Sequence, residues 1–391
     1  MIRFEEFTGV SLVDKKANSS MHWKMGTGQG SMKIDTISYL NEVGVLSPTC
    51  KHEIPDTSLL KMYRAMQTTR HIDERAITLQ RQGSITFAMS ALGEEACSVA
   101  GAAGLEEGDW IFSQYREAGI LFWRDYPVQD YWHQMFCNAK DVNLGRQMPN
   151  HYASPERNIV TVSSPLGTQI PHAAGTAYAM KMRGDQKVAM CYFGDGTTSE
   201  GDFHTGVNFA AVRKAPCIFF CRNNGYAIST GLERQFASDG IAPKGIGYGI
   251  HTFRIDGNDV FAVRETVARA RKICLDGEGP VLIEAMTYRR GAHSTSDDPS
   301  LYRPEGEDEL WEKRCPVLRL GEYLKKQKLW SDAKDKKLLK EIQEEVTKAI
   351  EVAKATPKPP LHTLMEDVYF EIPSALQEQY EELKRLYPGR D

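Results

Sequence analysis

The chain has 391 residues, 41% of them hydrophobic and 26% charged, with a net charge of −4. That balance is ordinary for a soluble globular protein of one large domain or two, and it leaves no broad basic surface for nucleic acid. No apolar run approaches the ~20 residues that a membrane-spanning helix needs. The eight cysteines are scattered without a metal-ligand pair, and Cys191, Cys217 and Cys221 sit in apolar runs, as small buried hydrophobes do in a reducing compartment.

In chain order, the opening residues Met1 to Phe7 include Glu5 and Glu6 and lack the Arg and Ser richness of a transit peptide. The expectation is that a targeting segment is either missing from this sequence or never present. Residues 1–45 show weak periodicity, and Gly26-Thr27-Gly28-Gln29-Gly30 reads as a flexible loop because no apolar strand precedes it. With Asp56 as N-cap, Leu59, Leu60, Met62, Tyr63 and Met66 form a helical stripe that continues through Ile72 and Leu79. Gly93-Glu94-Glu95 starts a second, Ala- and Gly-rich helix, and residues 110–116 read as a short strand ending in Tyr115 and Arg116. Arg116 is either a surface charge or a bidentate phosphate grip. Arg146-Gln147-Met148-Pro149 and His151 lie in a loop. Residues 163–169 (Ser-Ser-Pro-Leu-Gly-Thr-Gln) form a polar turn that caps the following Ala-rich helix, binds a cation, or does both.

The central stretch is the most informative. Residues 188–193 are an apolar strand that breaks at Gly194-Asp195-Gly196, leaving one carboxylate at the strand's carboxyl end. Ser199 reads as the N-cap of a helix ending near Lys214, where Ala215-Pro216 stops it. A second apolar strand, 217–221, ends in Arg222-Asn223-Asn224-Gly225-Tyr226. A strand-helix-strand crossover makes the two strands parallel neighbours, so both polar clusters fall at the ligand-binding edge. Asp195 and one of the asparagines can then share a small hard cation; magnesium suits such oxygens when substrate phosphates complete its shell. Taken alone, Gly-Asp-Gly is more often a plain turn, by roughly three to one.

Further strands at 252–255 and 281–286, with a helix at 260–274 between them, extend the alternation into a doubly wound, mostly parallel α/β sheet over residues 46–319. The loop from Tyr288 to Asp298 carries His293 to the same edge, where a surface role and a catalytic role are equally open. The segment 320–391 is helical (Leu338, Leu339, Ile342, Val346 and Ile350 at helical spacing), interrupted by Pro357-Lys358-Pro359-Pro360, with a last amphipathic piece over 373–386. It is either a solvated appendage or a surface that packs on a partner subunit.

Gly-Asp-Gly with Asn-Asn thirty residues on resembles the thiamine-diphosphate signature. From about Pro55 onward the chain is similar to the α subunits of branched-chain 2-oxoacid dehydrogenase first components (E1). The strings that carry this are Gln-Tyr-Arg at 114–116, Gly-Arg-Gln-Met-Pro at 145–149, the 163–169 turn, Arg-Asn-Asn-Gly-Tyr-Ala-Ile-Ser-Thr at 222–230 and His-Ser-Thr-Ser-Asp-Asp at 293–298. The resemblance implies thiamine-diphosphate-dependent decarboxylation of branched-chain 2-oxoacids and reductive acylation of a lipoyl group. It implies magnesium at Asp195, Asn224 and the Tyr226 carbonyl. The diphosphate would be held by Tyr115, Arg116, Arg222 and the Gly196 backbone, with Ser164 and Leu166 at the cofactor's reactive end. Ser163, Pro165, Thr168 and Gln169 would hold potassium. His293 would act on the bound substrate, and Ser294 would be a phosphorylation site for a regulatory kinase and phosphatase in a loop that docks the lipoyl domain of the E2 transacylase.

Four positions depart from the family pattern. Asp195 stands where this subfamily often has Glu, Ala292 replaces a His, Pro304 replaces a second phosphorylatable Ser, and Arg290 adds a positive charge. The chain also offers no second domain to hold the cofactor's aminopyrimidine, nor a glutamate to activate it. The expectation is therefore an α2β2 assembly with an E1 β subunit, in the mitochondrial matrix if the source is eukaryotic and in the cytoplasm otherwise. Two other readings are the same machinery for another 2-oxoacid such as pyruvate, and a non-catalytic regulatory subunit.

Overall fold

The structure, a computed structural model, describes residues 20–22 and 34–389. The Met1 to Phe7 segment and the glycine-containing stretch at 26–30 lie outside the described residues. The strands in chain order are β1 (Ser20–His22), β2 (Asp35–Ile37), β3 (Trp110–Phe112), β4 (Ile159–Val160), β5 (Ala189–Gly194), β6 (Cys217–Asn223), β7 (Tyr226–Ala227), β8 (Thr230–Gly231), β9 (His251–Asp256) and β10 (Val281–Met286). The helices are α1 (Asp56–Arg81), α2 (Glu95–Ala103), α3 (Gly119–Trp123), α4 (Val128–Met135), α5 (Gln169–Arg183), α6 (Gly201–Arg213), α7 (Ala242–Gly247), α8 (Val260–Leu275), α9 (Glu307–Glu312), α10 (Pro316–Lys326), α11 (Asp332–Ala355) and α12 (Ser374–Leu386).

Eight strands form one sheet in the order β1-β2-β9-β10-β6-β5-β3-β4, while β7 and β8 make a separate hairpin. Every pairing in the large sheet is parallel except β1 with β2. The central strands are buried on both faces, and the alternation of side chains sorts them into two cores. Met190, Tyr192, Ile218 and Phe220 join the core under α1, α2 and α8, whereas Ala189, Cys191, Phe193, Cys217, Phe219 and Cys221 join the core under α5 and α6. The cysteines of these strands are therefore free thiols used as small apolar side chains.

Four expectations shift on the structure. Residues 195–199 coil into a short 3-10 turn, with the Thr198 hydroxyl donating to the Asp195 carbonyl (2.8 Å), so the helix starts at Gly201 and Ser199 is not its N-cap. Pro55 rather than Asp56 precedes the first helical residue. The extension expected to be weakly structured through residue 45 enters the sheet at β2, next to β9. It is held there because the Asp259 carboxylate, which caps α8, also accepts from the Leu40 amide (2.7 Å), and because buried Arg319 bridges Asp256 (2.9 Å) and the Leu40 carbonyl.

Arg319 lies in α10, and residue 320 is inside that helix, so the boundary expected at 319/320 cuts through an element of the main body. Leu338, Ile342, Val346 and Ile350 of α11 are buried in the same core as α1, and the Tyr63 hydroxyl donates to Asp335 (2.8 Å). Leu339, on the other side of the stripe, faces outward. Only beyond Pro360 does the tail become a largely exposed segment.

Asp73 of α1 is buried and accepts the Ala91 amide (2.6 Å), which sets the turn leading to α2. Burial raises its carboxyl to about 7. A carboxyl whose folded pKa exceeds its unfolded value contributes stability that is complete below ~4 and is lost as pH rises through about 7. Asp73→Asn, which keeps an acceptor for Ala91, should therefore raise the melting temperature at pH 8 and leave it nearly unchanged below pH ~4.

Candidate active site

The chain leaves β3 for β4 on one side of the sheet and returns to β5 on the other, which makes the gap between β3 and β5 a topological switch point, the usual ligand crevice of such sheets. The pairing register levels the strand ends there: Gly194 stands opposite Arg222, and Asn223 opposite Met286. A cavity of about 470 Å³ opens at this edge. Every residue expected to hold the diphosphate, the magnesium ion or the substrate lines it: Tyr115 and Arg116 from the end of β3; Ser164 and Leu166 from the polar turn; Asp195 and Gly196 after β5; Arg222, Asn224 and Tyr226 after β6; and His293 after β10. Gly196 is required by crowding, since a Cβ there would stand 2.6 Å from the Ala227 Cβ.

Asp195 is 1% exposed; its carboxylate accepts from Gln235 Nε2 (2.8 Å) and the Asn224 backbone N–H (3.4 Å), with no cationic side chain among these bonds. Burial raises it to about 6. Among the described residues no three His, Cys, Asp or Glu side chains cluster as a metal site. A cation at Asp195 would thus depend on neutral oxygens and on its ligand's own anionic oxygens, which is the donor set magnesium favours.

Two buried arginines face the same space. Arg222 pairs with Glu117 (2.5 Å) and Glu94 (3.0 Å); burial alone would lower its pKa, but the two carboxylates more than offset this and raise it. Arg116 donates to the Ser90 carbonyl (2.6 Å) and the His293 carbonyl (2.9 Å), with the Glu94 carboxylate 3.9 Å away. Burial therefore dominates and lowers it.

His293 Nδ1 lies 3.3 Å from Arg116 Nη2, and a guanidinium can only donate, so Nδ1 accepts and the neutral ring carries its proton on Nε2. Burial first, then the charges of Arg116 and Arg289, pushes the imidazole down to about 3. Its backbone N–H donates to Asp297 (2.6 Å), which also accepts from the Tyr302 hydroxyl (2.7 Å). Ser294, half-buried, follows immediately.

At the 163–169 turn the side-chain cap expected for α5 does not form. Thr168 makes no side-chain cap to α5; its hydroxyl donates instead to Ser163 Oγ (2.8 Å) and the Pro165 carbonyl (3.2 Å). Gln169 donates to the Tyr192 carbonyl (3.2 Å), and its buried Oε1 has no hydrogen-bond partner among the described residues. Beside it, His151 Nδ1 meets the Pro149 carbonyl (3.0 Å), which leaves Nε2 to accept the Ser164 hydroxyl (2.6 Å).

Residues 63–362 match the family described as dehydrogenase E1 component. The chain belongs to the dehydrogenase E1 component family. E1 relatives include the human mitochondrial 2-oxoisovalerate dehydrogenase subunit alpha, 47% identical over 342 residues, 87% of this chain and 77% of the relative. The Caenorhabditis elegans protein of the same name is 43% identical over 384 residues, 97% of this chain and 89% of the relative. Subunit alpha 2 from Arabidopsis thaliana is 46% identical over 328 residues, 84% and 70% of the two chains.

Sequence reasoning missed the acids of this E1 site. Glu94 was legible only as helix-start charge and Glu117 not at all, although a chain placing two arginines at a buried strand edge requires nearby carboxylates. Gln114, whose Oε1 accepts from the Gly194 amide (2.8 Å), and Arg289, which donates to the Ile228 carbonyl (2.9 Å), also line the cavity.

His293 gives a pH prediction. Its folded pKa lies below the unfolded value near 6.5, so protonation favours the unfolded chain and stability falls as pH drops from about 6.5 towards about 3. Histidine NMR of the cofactor-free assembly should show the His293 ring neutral at pH 5.5, and His293→Gln should flatten the loss of stability between pH 6.5 and 4.5. A ring titrating near 6.5 would contradict the geometry.

Proposed function

We propose that this chain is the α subunit of a thiamine-diphosphate-dependent 2-oxoacid dehydrogenase E1 that decarboxylates branched-chain 2-oxoacids and passes the acyl group to a lipoyl group. The observation that carries the reading is the convergence at one switch point of buried Asp195 and Asn224 with two buried arginines and a neutral histidine. The names of the relatives support the branched-chain substrate class.

The residues fit the cofactor. Arg116, Arg222, Tyr115 and the Gly196 backbone would hold the diphosphate, and Asp195, the Asn224 amide oxygen and the Tyr226 carbonyl would hold Mg2+. The partnerless Gln169 Oε1, the Ser163–Thr168 hydroxyl pair and the Pro165 carbonyl form a set of uncharged oxygens suited to K+. When bound, thiamine diphosphate supplies the nucleophilic carbon and the electron sink that decarboxylation needs. The protein's part is to neutralise the diphosphate with buried arginines and to exclude water. Ser164, its hydroxyl hydrogen fixed on His151, and Leu166 border the reacting end. His293 Nε2–H would donate to an oxygen of the substrate and so assist the acyl transfer.

The aminopyrimidine and its activating glutamate are assigned to a β subunit in an α2β2 assembly. The tail supports a partner surface: Val368, Tyr369 and Ile372 are exposed, and Phe370 is fully so. A kinase and phosphatase acting on Ser294, the E2 lipoyl domain docking on the same loop, and the mitochondrial matrix complete the reading; relatives are named as mitochondrial.

Co-expressed with its β partner and supplied with thiamine diphosphate and Mg2+, the chain should decarboxylate 3-methyl-2-oxobutanoate in preference to pyruvate. Asp195→Ala and the α chain alone should both be inactive. Preference for pyruvate would move the assignment to a sister enzyme, and a folded, cofactor-binding but inert complex would make this a regulatory subunit. A phosphate on Ser294 adds roughly −1.5 to −2 charges next to the His293–Asp297 contact. Ser294→Glu should therefore loosen the loop to proteolysis and cut overall activity at least tenfold; full activity with an unchanged cleavage pattern would exclude this switch.

A further inference from the structure

Glu94, immediately before α2, is a carboxylate that neither decarboxylation nor diphosphate binding calls for. It is 2% exposed and lies among the groups assigned to an anionic ligand. Its Oε1 accepts from Arg222 Nη1 (3.0 Å) and from Asn224 Nδ2 (3.2 Å), while Oε2, 3.9 Å from Arg116 Nε, has no hydrogen-bond partner among the described residues. A negative side chain here works against an anionic cofactor by simple Coulomb reasoning, and Arg222 is already anchored by Glu117. A role beyond charge neutralisation is needed to account for it.

The Asn224 amide supplies that role. An amide has an oxygen end and an NH2 end of nearly equal size, and only one of them ligates a hard cation. A carboxylate can only accept, so Glu94 requires the NH2 end on its own side. On the other side the Tyr226 backbone N–H, which can only donate, meets Asn224 Oδ1 at 3.2 Å. Turning the amide over would set its oxygen against the Glu94 carboxylate and its NH2 against the Tyr226 N–H. Two interactions of opposite polarity thus fix one orientation.

We infer that Glu94 is a positioning residue: by accepting the Asn224 NH2 it commits the amide oxygen to the divalent cation beside Asp195. This inference rests on the metal–diphosphate reading of the site. Partners that orient a metal ligand typically contribute 10- to 100-fold in metal affinity. Glu94→Gln replaces an obligate acceptor by an amide that can present either end, so only the Tyr226 N–H still selects the Asn224 orientation. It also leaves the two arginines with one counter-charge fewer, so attraction for a phosphate anion alone does not fall. The inference therefore predicts a loss of metal affinity with anion affinity retained, whereas a purely structural role lowers both; a purely electrostatic role shares that signature and is separated by the Asn224→Asp background.

The test uses the full α chain assembled with its β partner and stripped of cofactor. Mg2+ is titrated calorimetrically at saturating thiamine diphosphate, and inorganic pyrophosphate is titrated separately without metal. Glu94→Gln should raise the Mg2+ half-saturation concentration at least about tenfold while pyrophosphate affinity stays equal or improves. In an Asn224→Asp background both terminal atoms are oxygens and nothing remains to be oriented, so adding Glu94→Gln should cost only the Coulombic share of Mg2+ affinity, a clearly smaller loss than in the Asn224 protein. Glu94→Asp, which keeps an acceptor, should recover part of the Mg2+ affinity and carries the test if Glu94→Gln fails to assemble. An unchanged Mg2+ titration in Glu94→Gln, or the same weakening in the Asn224→Asp background, would overturn the inference while leaving the function intact. Failure of the unsubstituted assembly to bind Mg2+ with thiamine diphosphate would instead overturn the reading of the site, and the inference with it.

Discussion

The burial of Arg222 between Glu117 and Glu94 is the constraint on which the rest of the site depends. A guanidinium removed from water in this way is tolerable only when paired and hydrogen-bonded, and breaking such a pair leaves an uncompensated charge in a low-dielectric setting. The pair also fixes geometry. Glu117 uses its other oxygen to accept the backbone amides of Gln114 and Arg116 (2.9 and 3.2 Å), so the turn after β3 and the end of β6 are clamped to one side chain. Gln114 in turn accepts from Gly194, bringing the end of β5 into the same arrangement. Three strand ends are held as a unit before any ligand arrives, which is the preorganisation that electrostatic binding sites require.

Around this centre, the histidine-bearing loop is tethered at several points. Arg289 reaches the β7–β8 hairpin through the Ile228 carbonyl, Arg290 pairs with Asp308 of α9 (2.8 Å), and the Arg303 guanidinium donates to the carbonyls of Arg289 and Gly291 (2.5 and 3.0 Å). Tyr288 and Tyr226 share the Glu307 carboxylate, and Tyr288 stacks on Trp311 with ring centroids 5.4 Å apart. The charge that Arg290 adds relative to the family pattern is thus spent on a helix next to the loop rather than in the cavity.

Much of this could be read from the sequence because strong local signals carried it. The apolar runs at 188–193 and 217–221 have few alternatives to buried parallel strands, and parallel pairing forces Asp195 and Asn224 to one edge. What escaped was non-local. The Arg319–Asp256 pair and the Asp259 contact to Leu40 span more than sixty and more than two hundred residues, respectively, and no window of the sequence contains both partners. Glu94 and Glu117 were invisible for the same reason, since a carboxylate at a helix start is ordinarily explained by the helix dipole. Ser199 misled because a Gly-Asp-Gly turn can coil into a 3-10 segment that delays the helix by one residue.

The alternation along β5 bears on how this chain can change length. Met190 and Tyr192 belong to one core and Ala189, Cys191 and Phe193 to the other, in a strand whose last residue delivers Asp195. Inserting or deleting one residue within β5 would exchange the occupants of both cores and turn the carboxylate to the opposite face. The turns between α5 and β5 or between α6 and β6 carry no such parity. Length variation among relatives is therefore expected to accumulate at the amino ends of these strands, leaving the carboxyl-end spacing from Gly194 to Gly196 and from Arg222 to Tyr226 as a fixed ruler.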